Sequence, residues 1–240
     1  MNNHIRFSPR ASLAMTGICM QQMGIWQMVS EHVTVKQKVM LHTPLEKLQD
    51  AFINIMAGGH GLVEVNHRVR PDSGLLRAFG RSCSAEQSTI SDTLNRCSEK
   101  NVEQMRAALQ AIYQQYGQGY AHHYSQGWQL LDVDMTGMPA GRQGEGVEKG
   151  YFAKQKNKRG RQLGRVVATC YDEIVAERLY SGKIQLNRSL RQLVQDAESV
   201  LELNPGFRRR TILRVDGGGG SDKDINWLLG RHYHILVKVK

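Results

Sequence analysis

The chain has 240 residues, 40% of them hydrophobic and 22% charged, with a formal net charge of +10 and a pI of about 9.6. That balance reads as a globular chain rather than a disordered one, and the positive surplus favours a polyanionic partner, nucleic acid ahead of an anionic membrane surface. Cys19, Cys83, Cys97 and Cys170 lie far apart with no CxxC pair, which fits a reduced, cytoplasmic setting better than a disulfide framework, and no apolar run reaches the roughly 18–20 residues of a membrane span.

Residues 1–40 read as Met-rich and irregular, with Met15, Met20, Met23 and Met28 as gap-fillers. Residues 11–20 faintly imitate a signal peptide, but Gln21 and Gln22 break the apolar run, so export is not expected. Residues 44–57 carry Leu45, Leu48, Ala51, Phe52 and Ile55 at helical spacings, and Gly58 and Gly59 end the run. A short element is expected over 61–65, and an N-capped short helix over 71–80. Two helices follow, one after Ser88 and Thr89 and one from Val102 to Tyr116. Joined by a short polar turn, they resemble a helix-turn-helix. An ordinary helical hairpin explains them equally well, since the pair is not strongly basic.

After Gly117 the pattern changes. Strands are expected at 127–134, 162–170 and 173–180, an amphipathic helix at 185–203, a strand at 210–216, a short helix at 221–230 and a strand at 232–238. Leu186, Leu190, Leu193, Val194, Ala197, Val200 and Leu201 form the inward stripe of the long helix. Buried strands alternating with helices predict an α/β mixed sheet with helical cover. A mainly helical region over 1–120 precedes it, and the sheet domain occupies 121–240. Residues 1–120 carry 12 Lys and Arg against 9 Asp and Glu, and residues 121–240 carry 20 against 13, so the second part is the stronger candidate for phosphate contact.

The strands at 127–134 and 210–216 both end in aspartate. In open α/β sheets ligands gather at the carboxyl ends of strands, and two carboxylates side by side call for a neutralising cation. Mg²⁺ (or Mn²⁺) suits few carboxylates plus substrate phosphates and can activate water or a 3′-hydroxyl against a phosphodiester. The alternative is that each Asp merely ends a strand. Asp132 and Asp134 share a face; Asp134 is preferred because it lies nearer the strand end, before an expected turn at Met135-Thr136-Gly137, with Asp132 in reserve.

The stretch 151–165 holds Lys154, Lys156, Lys158, Arg159, Arg161 and Arg165 with no acid, and reads as a basic loop placed to meet a DNA backbone. Gly217–Gly220 follows Asp216 but lacks both the Walker and GxGxxG patterns, so it reads as a tight turn rather than a nucleotide cradle. His232 and His234 would share a strand face, but nothing nearby completes a zinc site.

The segments LLDVDMTGMPAGRQGEGVEKGYF and ILRVDGGGGSDKDINWLL resemble the two aspartate blocks of bacterial insertion-sequence DDE transposases, and the stretch from DAFINIM to ISDTL resembles the helical region before their core. The resemblance covers roughly residues 40–240. It implies an RNase H-like catalytic core, with Asp134 and Asp216 as the first two of three metal-binding acids. It also implies Mg²⁺, cleavage and strand transfer at element ends, double-stranded DNA partners (terminal inverted repeats and target) and a homodimer. The third acid of that family is a Glu on a helix after the fifth strand. Glu145, Glu148 and Glu173 precede Asp216 and cannot fill that place by order. On this reading the chain stops at Lys240 before its third acid, as a truncated and inactive transposase. The competing expectation is a non-catalytic DNA-binding remnant or regulator of transposition.

Overall fold

The computed structural model describes residues 7–38, 41–152, 158–216 and 221–237. The chain forms two compact units, residues 1–112 and 113–240.

The first unit is helical: α1 (Ala11–Gln22), α2 (Ile25–His32), α3 (Pro44–Met56), a π-helical turn (Val65–Val69), α4 (Ser73–Ala78), α5 (Gln87–Arg96) and α6 (Glu99–Tyr116), which runs on into the second unit. The expectation of an irregular lead-in is therefore corrected, because residues 11–32 are almost wholly helical. Unbranched Met and Gln favour helix, and the stretch from 11 to 32 contains no proline. The apolar residues of α1 are spread around its axis, which is why no amphipathic pattern announced it. Gly17 is the buried residue of α1; a Cβ there would lie 2.6 Å from Phe79 Cδ2 and 2.8 Å from the Ala78 carbonyl oxygen, so α1 rests directly on the end of α4.

The caps follow from sequence. Thr43 and Glu46 form a capping box at α3, with Pro44 in the first turn. Asp72 Oδ1 accepts from Leu75 N–H at 2.9 Å to start α4, which Gly80 terminates in the left-handed region at φ 77°. The expected element at 61–65 is displaced to the π turn. Helices α5 and α6 are joined through Cys97 and Ser98, and α5 packs on α3. A buried ion pair ties this unit together. Arg81 (side chain 4% exposed) donates to both carboxylate oxygens of Asp50 (0%) at 3.0 and 3.2 Å, while Asp50 also accepts from Ala85 N–H at 2.8 Å.

The second unit is a mixed sheet with helices. Its strands are β1 (Gln129–Pro139), β2 (Glu148–Lys149), β3 (Arg159–Ala168), β4 (Glu173–Ser181), β5 (Thr211–Val215) and β6 (His234–Val237). Helix α7 (Leu186–Leu201) and the single turn α8 (Pro205–Arg208) connect β4 to β5, and α9 (Asp222–Gly230) connects β5 to β6. The main order is β4-β3-β1-β5-β6, with β2 beside the start of β3. Strands β1, β3 and β4 are antiparallel neighbours, and β5 and β6 are added parallel on the far side of β1. This is the RNase H-like mixed α/β sheet that the resemblance implies.

One face of the sheet is the core. Leu131, Val133, Val166, Ala168, Leu213 and Val215 form one cluster with the apolar stripe of α7, whose seven expected inward residues are all buried. Each such leucine or valine contributes about 1.5–3 kcal/mol on leaving water. Ser221 caps α9, accepting from Asp224 N–H at 3.3 Å.

Three strand expectations are revised. Strand β1 does not stop at Asp134 but runs five residues further, because Met135–Pro139 pair with Gly160–Gly164 of β3. Strand β3 starts at Arg159, so Arg159, Arg161 and Arg165 lie on a strand and not in a solvated loop; ladders to β1 and β4 hold them there. His232 lies in a turn at φ 70°, outside β6, and so does not share a strand face with His234. Lys154, Lys156 and Gly217–Gly220 lie outside the described residues.

Candidate active site at the end of the parallel ladder

Side chains alternate along a strand. With Leu131, Val133, Leu213 and Val215 committed to the core, Asp132, Asp134 and Arg214 project to the opposite face. The parallel register sets Asp132 beside Arg214 and Val133 beside Val215. Continued by one residue, it brings Asp134 level with Asp216, which directly follows β5. Asp134 therefore marks the end of the parallel ladder although it is not the end of its strand. Both acids line a cavity of about 440 Å³ together with Asp132, Val133, Arg214, Val215, Leu236 and Val237.

Arg214 is the one basic residue among the described residues lining the cavity. Its Nη2 donates to Asp132 Oδ2, and this hydrogen bond, with the charge of Asp132, raises the already high pKa of the guanidinium. The reserve acid is thus engaged by an arginine, while Asp134 stands exposed one strand step further along the same face. Sequence reading had no role for Arg214. The available signal was its i−2 spacing from Asp216, which puts both on one side of the extended chain.

The basic residues of β3 belong to the same face. Direct partners in antiparallel strands project to one side, and Asp134 faces Arg165, which in turn faces Glu177 of β4. Arg165 Nε lies 3.5 Å from Glu177 Oε2, both side chains being about half exposed. One row across the sheet therefore reads Glu177, Arg165, Asp134, with Asp216 beyond. Arg161 lies four pairs further along β3, opposite Met138, and donates to the Leu179 carbonyl at 3.4 Å. Arg159 and Lys158 are exposed at the start of the strand. By contrast, Arg208 is held by Glu198 at 3.3 Å in a brace that also takes Arg231 and the Tyr233 hydroxyl.

This donor set suits a hard divalent cation in kind. Asp132 Oδ1 is buried with no hydrogen-bond partner among the described residues, a cost of about 1–3 kcal/mol unless a cation or water meets it. The donors are carboxylate oxygens, and Mg²⁺ needs only one or two of them beside substrate phosphates. In number the set is short of a closed cage. Among the described residues no group of three or more His, Cys, Asp or Glu is arranged to hold a metal ion. No helix among them is long and apolar enough to cross a membrane.

Neither a family model nor a curated protein matches the chain. Among solved structures it is similar to a piggyBac transposase in a synaptic complex with hairpin DNA, at 11% identity and a TM-score of 0.44, over 91% of this chain and 49% of that one. It is also similar to Mos1 in a mariner paired-end complex with Mn, at 10% identity and a TM-score of 0.31, over 96% of this chain and 78% of that one. A pre-cleavage Mos1 transpososome shares 10% identity at a TM-score of 0.29, over 84% and 61%. The chain spans about half the length of the piggyBac chain it matches.

Proposed function

We propose that this chain is the DNA-binding and catalytic part of a bacterial insertion-sequence DDE transposase, an endonuclease that cleaves strands at element ends and transfers them to a target. The observation that carries this reading is the convergence of Asp134 and Asp216 on one cavity at the end of the parallel ladder. Asp134 and Asp216 would hold Mg²⁺ or Mn²⁺, with Asp132 as a further oxygen donor. Such an ion, when bound, activates the attacking water or 3′-hydroxyl and stabilises the leaving oxygen.

The remaining work falls to the chain's own residues. Arg165 stands next to Asp134, and Arg161, Arg159 and Lys158 continue from it along β3. With Lys154 and Lys156 just before them in sequence, they form the track for a double-stranded DNA backbone, which explains the surplus of positive charge. Residues 1–120 serve as the DNA-binding region and 121–240 as the catalytic domain of a cytoplasmic, homodimeric enzyme. The third acid of the family set, a Glu on a later helix, is not among the described residues.

The test is nicking of a supercoiled plasmid carrying the element ends, in Mg²⁺ or Mn²⁺, by a version of the protein that also carries the third acid. Asp134→Ala and Asp216→Ala each abolish it on this reading; undiminished nicking by both variants refutes it. A second reading, a non-catalytic DNA-binding regulator, is favoured by the absence of a three-acid group among the described residues. End-specific binding with no nicking under any metal selects it.

A further inference from the structure

A cluster of positive charge lies at the other end of the same strands. Trp128 directly precedes β1 and Arg210 directly precedes β5, and the Gln129 N–H donates to the Arg210 carbonyl at 3.0 Å, which pins the two strand starts side by side. The Arg210 guanidinium lies over the Trp128 ring, 5.5 Å from its centroid. His234, the first residue of β6, meets the same ring at 4.6 Å in a T-shaped contact, and all three residues are exposed. His234 is the direct partner of Ile212, whose neighbours Thr211 and Leu213 are buried, so it projects to the open face that carries Asp132 and Asp134. A guanidinium laid on a ring uses its flat face and keeps its in-plane N–H fork for an oxyanion. Among the described residues neither Arg209 nor Arg210 has a carboxylate partner, and Glu198 is already shared by Arg208 and Arg231.

We propose that Arg210, seated on Trp128 and followed across the sheet by His234, is a second phosphate anchor for the duplex whose reacting phosphate lies at Asp134 and Asp216. This rests on the reading of those acids given above. From Trp128 to Asp134 the chain advances along one strand by about 20 Å, at about 3.3 Å per residue. Duplex DNA rises about 3.4 Å per base pair, so a helix lying along β1 and β5 brings a phosphate to Arg210 about six base pairs from the reacting one. The ring under Arg210 holds a long side chain in place before DNA arrives, which lowers the ordering cost of the contact. The acids and the anchor thereby divide the open face into an end for chemistry and an end for grip.

The experiment measures binding of a random-sequence, fluorescein-labelled duplex to the 240-residue chain across a salt series in EDTA. Each phosphate contact contributes about 0.9 to the slope of log affinity against log salt, so Arg210→Gln should lower the slope by about that amount, and Arg210→Lys should restore most of it. Trp128→Leu, which keeps the charge and removes its seat, should weaken binding while largely retaining the slope. Arg188→Gln, an exposed arginine on α7, whose apolar stripe covers the other face of the sheet, should leave both unchanged and controls for net charge. A wild-type slope in Arg210→Gln, an equal drop in Arg188→Gln, or wild-type affinity in Trp128→Leu overturns the proposal. A slope that depends on Arg165 and not on Arg210 removes this anchor and leaves the proposed function standing. Wild-type binding that is absent or independent of salt removes both.

Discussion

Asp134 and Arg165 are direct partners across the β1–β3 ladder, and Arg165 carries the row on to Glu177 at 3.5 Å. An exposed pair of this kind contributes only about 0–1 kcal/mol to stability. On the proposed reading, its position on the acidic face makes Arg165 a contact for the DNA backbone. Arg165→Ala should leave urea denaturation nearly unchanged while weakening duplex binding at low salt, with the difference fading as salt screens the contact. A large loss of stability with unchanged DNA affinity would assign Arg165 to the fold.

The Asp50–Arg81 pair predicts the opposite balance. Both side chains are buried, and removing Asp50 leaves the buried Arg81 with only the more exposed Glu46 as an ionic partner and leaves the Ala85 N–H unmet. Asp50→Ala should cost about 3–5 kcal/mol in chemical denaturation, whereas Arg10→Ala, which removes the 3.1 Å ion pair of a partly exposed arginine with Asp72, should cost far less.

Gly17 tests the packing of α1. A methyl at this position meets the Phe79 ring and the Ala78 backbone oxygen inside contact distance. Although alanine favours helix, Gly17→Ala should destabilise, by about 1–3 kcal/mol as for other overpacked sites. A gain in melting temperature would mean that α1 does not rest on α4 in solution.

Glu173 predicts a pH dependence. Burial works to raise its pKa, but the N–H groups of Gly119 and Gln118, both at 2.9 Å, and the Tyr113 hydroxyl at 2.8 Å outweigh it and hold the carboxyl below its ordinary value. A depressed folded-state pKa gives stability that is present above the unfolded value, about 4.3, and is lost as pH falls through the folded one. Glu173→Gln should therefore cost about 1–3 kcal/mol at neutral pH and flatten the acid limb of the stability profile. An acid limb identical to wild type would contradict this.

The parts of the fold that were legible in sequence are those with a local signal. Helix α7 was legible because its stripe of Leu186 to Leu201 repeats at helical period against polar neighbours, and the capped start of α4 because Asp72 acts within one turn. Asp134 and Asp216 stood out because each follows a buried apolar run. What was not legible depends on partners distant in sequence. The extension of β1 to Pro139 and the start of β3 at Arg159 come from a ladder between the two strands, and no periodicity in either reveals it. The pairing of Asp132 with Arg214, 82 residues apart, is likewise a consequence of register. Helix α1 was missed because its apolar residues form no clear stripe, and α2 because it spans only 8 residues in a Met-rich stretch.

Calorimetric titration of Mn²⁺ into the chain, in wild type and in Asp134→Asn and Asp216→Asn, tests the shared acidic site most directly. The account predicts binding by wild type that either substitution abolishes while the thermal melt is retained, because both acids are exposed. Mn²⁺ binding of equal strength in all three proteins, or none in wild type, would contradict it.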